Sequence, residues 1–323
     1  MACDFDISVI VPVYNSSKYI CECLDSILNQ TKNGIQTVIV DDGSTDGTSE
    51  IVDDYAKKSN SIIVIHQENM GVEKARAVGF RASTGKYIGW VDADDIAKPN
   101  MFEKLFSLAE EHNADFVYCN YEFFPSGVST KSKWFKEYKG KKDGDFIDRN
   151  TQCWNKLVKR ELYEYVHIDE LLIEYSEYCW IAAMLEAKKI VYTNESLYRY
   201  RVGHTSASGG NFVGKVPYYK RVVAYSKKLD KLILGSVFEK DLKTYFMYRY
   251  IYSLLLLLIV SAKNNDKNTY FLTKKKLIDV AYLNNPYLDR FVSNNYGKLK
   301  AWVITRLLPS NYFIANFVVK LFL

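Results

Sequence analysis

TVIVDDGSTDGT (residues 37–48) is a short strand-forming run that ends abruptly in an acidic, glycine-containing stretch, and KYIGWVDADD (residues 86–95) repeats that pattern. In open α/β sheets, ligands bind beyond the carboxyl ends of the strands, where both sets of carboxylates fall. Asp92 and Asp94 are two residues apart. On an extended backbone they would point to one face and could share a hard, oxygen-preferring cation such as Mg²⁺ or Mn²⁺. Either run alone reads just as well as a solvated turn or a helix N-cap, so the order of the surrounding segments has to decide.

Upstream, ISVIV (residues 7–11) has a buried-strand pattern and is followed by PVYN (residues 12–15). A helical stretch through Cys23, Ile27 and Leu28 leads to the strand before Asp41. A second helix, a strand at residues 62–65 and ENMGVEKARAVGFRASTG (residues 68–85) lead to the strand before Asp92. Strands alternating with helices predict an α/β fold with a mostly parallel sheet and right-handed crossovers. Phe102, Leu105, Phe106 and Ala109 recur at helical spacing after Pro99, and Asp95 is expected to cap that helix, ligation of a cation being its alternative role.

SVIVPVYN, DDGSTDGT, ENMGVEKARAVGF and STGKYIGWVDADD, in this order and spacing, resemble the family 2 glycosyltransferases, which have a GT-A fold. The resemblance implies metal-dependent, inverting transfer of a sugar from a nucleotide-sugar donor, expected to be UDP-linked, to an acceptor hydroxyl. The acceptor would be a bacterial surface glycan, a glycolipid or a glycoprotein. Donor binding falls by this resemblance to Pro12, Val13, Tyr14, Asp42, Asn69, Gly71, Arg76, Asp92, Ala93 and Arg201. Tyr14 would stack on the base. Asp42 would accept from uracil N3–H, although guanine N1–H or thymine N3–H would serve a carboxylate equally. Arg76 would approach the diphosphate; Ala77 follows it where the family usually has Asn. Gly71 and Gly79 either permit close backbone approach or mark turns.

Asp94 is assigned as the main ligand of Mn²⁺ or Mg²⁺, with Asp92 as its partner and His204, in SLYRYRVGHTSAS (residues 196–208), completing the site. The general base is expected in IEYSEYCWIAAML (residues 173–185), where Ser176-Glu177 replaces the family's GluAsp. Glu177 is the base by this reading and Glu174 the fallback; the bland alternative is that Glu177 only opens a helix. Trp154, in WNKL (residues 154–157), either stacks on an acceptor sugar or packs in the core.

The 323 residues suffice for a sizeable core. They divide into a catalytic domain at 1–212, with a nucleotide-sugar half at 1–120 and an acceptor half at 121–212, and a helical region at 213–323 concerned with membrane-surface or oligomer contact. A formal charge of only +5 argues against a general nucleic-acid binder. The start MACDFDISVIVP lacks the pattern of a secretion signal, and six scattered cysteines suit reduced thiols, so a cytoplasmic location is expected. KSKWFKEYKGKK (residues 131–142) reads as a basic loop, solvated or in contact with an anionic surface. LLLLLIV (residues 254–260) is far shorter than the roughly 20 apolar residues of a spanning helix and reads as a buried one. The basic tail, with Ile314, Phe317, Val318 and Leu321 on one helical face, is expected to lie on the inner face of the cell membrane; core closure or a dimer contact competes.

Two other functions compete. A sugar nucleotidyltransferase should show a glycine-rich phosphate loop with a basic residue near the first strand, which PVYNSSKY lacks. A catalytically silent nucleotide- or glycan-binding scaffold is kept open by Ser176 and Ala77, and opposed by Asp42, Asp92 and Asp94.

Overall fold

β1 (Ile7–Val13) is buried along its whole length, as a strand covered on both faces requires, and its ISVIVPV sequence is correspondingly almost continuously apolar. A computed structural model of the chain describes residues 5–125, 152–175, 179–202, 239–280 and 303–307, together with residues 216, 220, 223–224, 309, 312–313 and 315. These fall into two compact units, residues 1–141 with 146–204, and residues 142–145 with 205–323.

In the first unit β1 pairs in parallel with β2 (Ile35–Asp41) on one side and β4 (Tyr87–Trp90) on the other, and β3 (Ile62–His66) lies parallel beyond β2. The crossovers carry α1 (Ile20–Leu28), α2 (Thr48–Ala56) and α3 (Val72–Ala82). In this register Val13 is level with Asp41, and Asp41 with His66, so the loops leaving β1, β2 and β3 emerge at one height.

Beyond β4 the sheet is mixed, which narrows the expectation of a mostly parallel sheet to the first four strands. The spatial order is β3-β2-β1-β4-β7-β6-β8-β5. β7 (Lys156–Lys159) runs antiparallel to β4 and to β6 (Phe116–Phe124), β8 (Ile190–Arg201) is parallel to β6, and the short β5 (Ile96–Ala97) is antiparallel to β8. The result is an open α/β sheet with flanking helices, of which α4 (Met101–Glu111), α5 (Arg160–Tyr165), α6 (Ile168–Tyr175) and α7 (Trp180–Glu186) belong to the later strands. A cluster of fully buried rings anchors the end of β4: Trp90 lies 5.2 Å from Trp180 and 6.4 Å from Tyr163 between ring centres. Rigid packing there fixes where residues 91–95 emerge.

Two glycines set spacings inside this unit. A Cβ at Gly79 would lie 2.4 Å from Ile10 Cγ2, so Gly79 lets α3 sit down on the sheet. That is a helix-to-strand approach and not an approach to a ligand. A Cβ at Gly85 would lie 2.3 Å from the Ser8 backbone nitrogen, which cannot yield as a side-chain tip can. Gly85→Ala is therefore expected to destabilise the protein by about 3 kcal/mol or more, read as a lower urea midpoint with unchanged slope.

Lys156 is fully buried on β7, its ammonium donating to Asn155 Oδ1 at 2.7 Å and to the Gln152 carbonyl. Burial pushes its pKa down to about 7. An unfolded lysine holds its proton to about 10.4, so between these values the unfolded state binds more protons and stability rises with pH. Lys156→Met should remove this slope. The variant is expected to melt above wild type at pH 6.5, and the gap should close as melts are repeated towards pH 9.5.

In the second unit α8 (Glu239–Lys263) buries Leu254, Leu255, Leu257, Leu258, Ile259 and Val260, the run read from sequence as a buried helix. Asn265 turns the chain with φ 57°, and Asp266 caps α9 (Lys267–Asp279) by accepting from the Thr269 N–H at 3.0 Å. No described helix is long and apolar enough to cross a membrane. The basic loop at 131–142, and Ile314, Phe317, Val318 and Leu321 of the tail, lie outside the described residues.

Candidate active site

The loops after β1 and β2 are bolted together by the polar residues of their own motifs. Asn15, at φ 47°, accepts the Thr45 N–H on its side-chain oxygen at 2.8 Å, while its own N–H donates to Ser44 Oγ at 3.0 Å. Ser16 N–H donates to Thr48 Oγ1 and Ser17 N–H to Asp46 Oδ2. Burial works against the Asp46 charge, but these hydrogen bonds and those from Thr48 outweigh it and bring its pKa down to about 2. Ser44, Asp46 and Thr48 thus hold the loops, a role the sequence reading did not assign. Beside this staple, after Val13, the Tyr14 ring stands 49% exposed.

The two adjacent carboxylates that end β2 have different partners. Asp41 accepts from Ser44 N–H, Ser49 Oγ and His66 Nδ1, and the other His66 nitrogen meets Asp53 at 3.0 Å. Asp53 and then Asp41 raise the His66 pKa, and the ring held between them ties β3 to β2 and α2. Asp42 is buried and organises the next loop: Oδ1 accepts from Gln67 Nε2 at 2.7 Å and Met70 N–H at 2.8 Å, and Oδ2 from Gly71 N–H at 2.8 Å. An ionised carboxylate has about four acceptor sites, so most of Asp42 is spent on this loop and one site on Oδ2 is left. Gly71, at φ 93°, and the exposed Asn69 lie on the same loop, just before α3.

After β4 the backbone is not extended. Asp95 N–H donates to the Asp92 carbonyl at 3.0 Å, closing a turn around Ala93 and Asp94. The proximity of Asp92 and Asp94 therefore comes from a turn and not from strand alternation. Arg76, on α3, donates to Asp92 Oδ1 at 2.8 Å. Burial raises the Asp92 pKa; Arg76 opposes that and Asp94 adds to it.

Asp95 does not cap α4, whose N-cap position is Asn100. It is buried and turned towards β8, accepting from Tyr198 OH and from Arg201 N–H, each at 2.7 Å. Burial, with the charges of Asp92 and Asp94, pushes its carboxyl up to about 9. Tyr198 in turn accepts the Asp92 N–H at 3.2 Å, so one phenol grips both ends of the acidic turn. No feature of LYRYR singled out Tyr198 over its neighbours; only the β6–β8 register brings it under the turn.

Two expected ligand contacts are occupied by protein. Arg201 Nε donates to the Asp94 carbonyl at 2.6 Å, its terminal nitrogen meets Glu22 of α1, and its guanidinium lies near the Tyr19 and Phe124 rings at 5.0 and 4.8 Å. It is a strut for the turn. Trp154 is 5% exposed and stacks on Tyr198 at 4.5 Å and Tyr200 at 5.4 Å. Of its two readings, the structure shows core packing. Pro12 and Val13, in the last part of β1, are likewise buried.

Ser176, Glu177 and His204 lie outside the described residues; the backbone of Glu174 lies in α6. Among the described residues no three His, Cys, Asp or Glu side chains converge as a metal centre. Asp92 and Asp94 nevertheless supply two neighbouring carboxyl groups from one turn, an oxygen donor set that fits a hard cation such as Mg²⁺ or Mn²⁺.

Residues 8–166 match the model of glycosyl transferase family 2. Glycosyltransferase GlyG of Streptococcus pneumoniae is 34% identical over 258 residues, which cover 75% of this chain and 85% of that protein. Putative glycosyltransferase EpsH of Bacillus subtilis is 30% identical, with 75% of this chain and 74% of that protein covered. Among solved structures, S. aureus TarS 1–349 in complex with UDP-GlcNAc is similar, with a TM-score of 0.65, 21% identity, and coverage of 98% of this chain and 91% of that one. The mannosyltransferase PcManGT from Pyrobaculum calidifontis, in complex with GDP-Man and Mn²⁺, has a TM-score of 0.56 at 18% identity, with 95% and 88% covered. The likeness to these structures is one of fold, the GT-A type of open sheet.

Proposed function

Because this chain belongs to the family 2 glycosyltransferases, we propose that it moves a hexosyl or N-acetylhexosaminyl group from a UDP-sugar to an acceptor hydroxyl, with inversion. The acceptor on this reading is a bacterial surface glycan, a glycolipid or a glycoprotein. The observation that carries the reading is the grouping of Tyr14, Asp42 and the Asp92–Asp95 turn at the carboxyl ends of neighbouring parallel strands.

Tyr14 offers an aromatic face to the base, and the remaining acceptor site of Asp42 Oδ2 suits the N3–H of uracil. UDP-GlcNAc in TarS supports a uridine nucleotide; GDP-Man in the mannosyltransferase is the reason to test guanosine beside it. Asp94 and Asp92, joined by His204, would hold Mn²⁺ or Mg²⁺, which when bound supplies positive charge against the departing diphosphate. Arg76 holds Asp92 in place and adds its own positive charge beside the same diphosphate. Glu177, or Glu174 in its stead, takes the proton of the acceptor hydroxyl as its oxygen attacks the anomeric carbon.

The reading is tested by following nucleotide release from a panel of UDP- and GDP-sugars with Mn²⁺. UDP formed from one of them is expected; consumption of a GDP-sugar alone would reassign the base contact. Tyr198→Phe probes the support of the acidic turn. It removes the donor to Asp95 and the acceptor of Asp92 N–H, each worth about 1–2 kcal/mol. The Mn²⁺ concentration for half-maximal UDP binding is expected to rise about tenfold, and the loss of two buried hydrogen bonds should also lower the melting temperature measured without metal.

A further inference from the structure

α9 turns the wrong residues to water. Its buried face is Thr269, Tyr270, Thr273 and Leu277, two of them threonines, while Phe271, Leu272 and Ile278 stand 54%, 65% and 63% exposed. Phe271, Lys275 and Ile278 fall at i, i+4 and i+7, so the two apolar side chains flank a lysine on one outward stripe. Phe313, 75% exposed, extends this surface: Tyr312 beside it lies 6.0 Å from Phe271 between ring centres, and Lys267 Nζ lies 5.9 Å from the Phe313 ring. α9 carries four lysines, Lys267, Lys274, Lys275 and Lys276, against a single acidic residue, Asp279. Lys267, Lys275 and Lys276 are exposed.

Large apolar side chains gathered on an exposed surface mark an interaction site, and the ring of lysines selects its partner. A protein core or a neutral surface has no use for so many ammonium groups, whereas an anionic leaflet attracts each of them and accepts apolar side chains at its headgroup boundary. We propose that the outward face of α9, with Phe313, is a peripheral docking surface for an anionic lipid bilayer. Phe271, Leu272, Ile278 and Phe313 enter the interface while the lysines meet the headgroup phosphates. The surface is read from the second unit alone; its use, bringing the enzyme to a lipid-linked acceptor, rests on the transferase reading.

The test is co-sedimentation of the full chain with phosphatidylglycerol-containing vesicles and with pure phosphatidylcholine vesicles, alongside sedimentation velocity without lipid. Wild type should pellet with the anionic vesicles only. A Lys275→Gln, Lys276→Gln double variant should bind them roughly 25-fold more weakly, at about fivefold per charge. A Phe271→Ser, Leu272→Ser, Ile278→Ser variant should lose binding while keeping the wild-type melting curve and UDP affinity. Failure of wild type to bind anionic vesicles, or equal binding by both variants, overturns the proposal. A wild-type dimer that the triple-serine variant dissociates would assign the face to a second copy of the chain and overturn it as well. UDP binding is read separately, so loss of the transferase reading would leave this result standing.

Discussion

Asp94→Asn is expected to abolish cation-dependent donor binding and to cut sugar transfer by about 10³-fold or more. Asparagine keeps the size of the side chain and one carbonyl acceptor but removes the charge that a hard cation requires. The backbone around it is held independently, by the Asp95-to-Asp92 turn hydrogen bond and by Arg201 on the Asp94 carbonyl. The substitution should therefore leave the turn in place and the melting curve nearly unchanged. Asp95→Asn serves as the contrast: it alters a buried carboxyl bonded to Tyr198 and Arg201, so its effect should appear in stability before it appears in metal affinity. Undiminished transfer by Asp94→Asn would sink the metal assignment.

Glu177→Gln is expected to lower kcat by about 10²- to 10⁴-fold, the range for loss of a general base, with the donor KM within about twofold of wild type. Glutamine retains shape and hydrogen bonding but cannot take the acceptor proton. Single-turnover transfer with saturating donor separates this from a binding defect. Near-normal transfer by Glu177→Gln together with a loss in Glu174→Gln would move the base three residues back along the chain, to α6. Loss in neither would remove this whole segment from the chemistry.

In the parallel half, the partly buried β3 is legible from its IIVI run alone, whereas β1, β2 and β4 were legible because they are buried on both faces and so carry short apolar runs, each ending in a turn motif. The later strands were not, because β7 and β6 meet through pairings that local patterning does not encode, and β8 is partly exposed along much of its length. The same division holds at the site. Tyr14, Asp42, Asp92 and Asp94 could be named because they sit on strand ends, but their working partners come from afar in sequence. Arg76 meets Asp92 across 16 residues, and Tyr198 meets Asp95 across 103. Arg201 and Trp154 show the cost of reading residue type without register. Residue type points Arg201 to the donor and Trp154 to a sugar or the core; Arg201 donates to the Asp94 carbonyl, and Trp154 stacks on Tyr198, which bonds the same turn. Asp95 shows it too, since a helix start a few residues on suggested a cap, while its carboxylate faces β8 instead.

The central claim is that the ends of β1, β2 and β4 form a cation-dependent nucleotide site. It is tested most directly by calorimetric titration of the protein with UDP, GDP and TDP, each with and without Mn²⁺, beside Asp94→Asn. The account predicts that UDP binds when Mn²⁺ is present and that the variant loses this binding. Folded wild-type protein that binds none of the three nucleotides, with or without the cation, would contradict it and put the silent scaffold in its place.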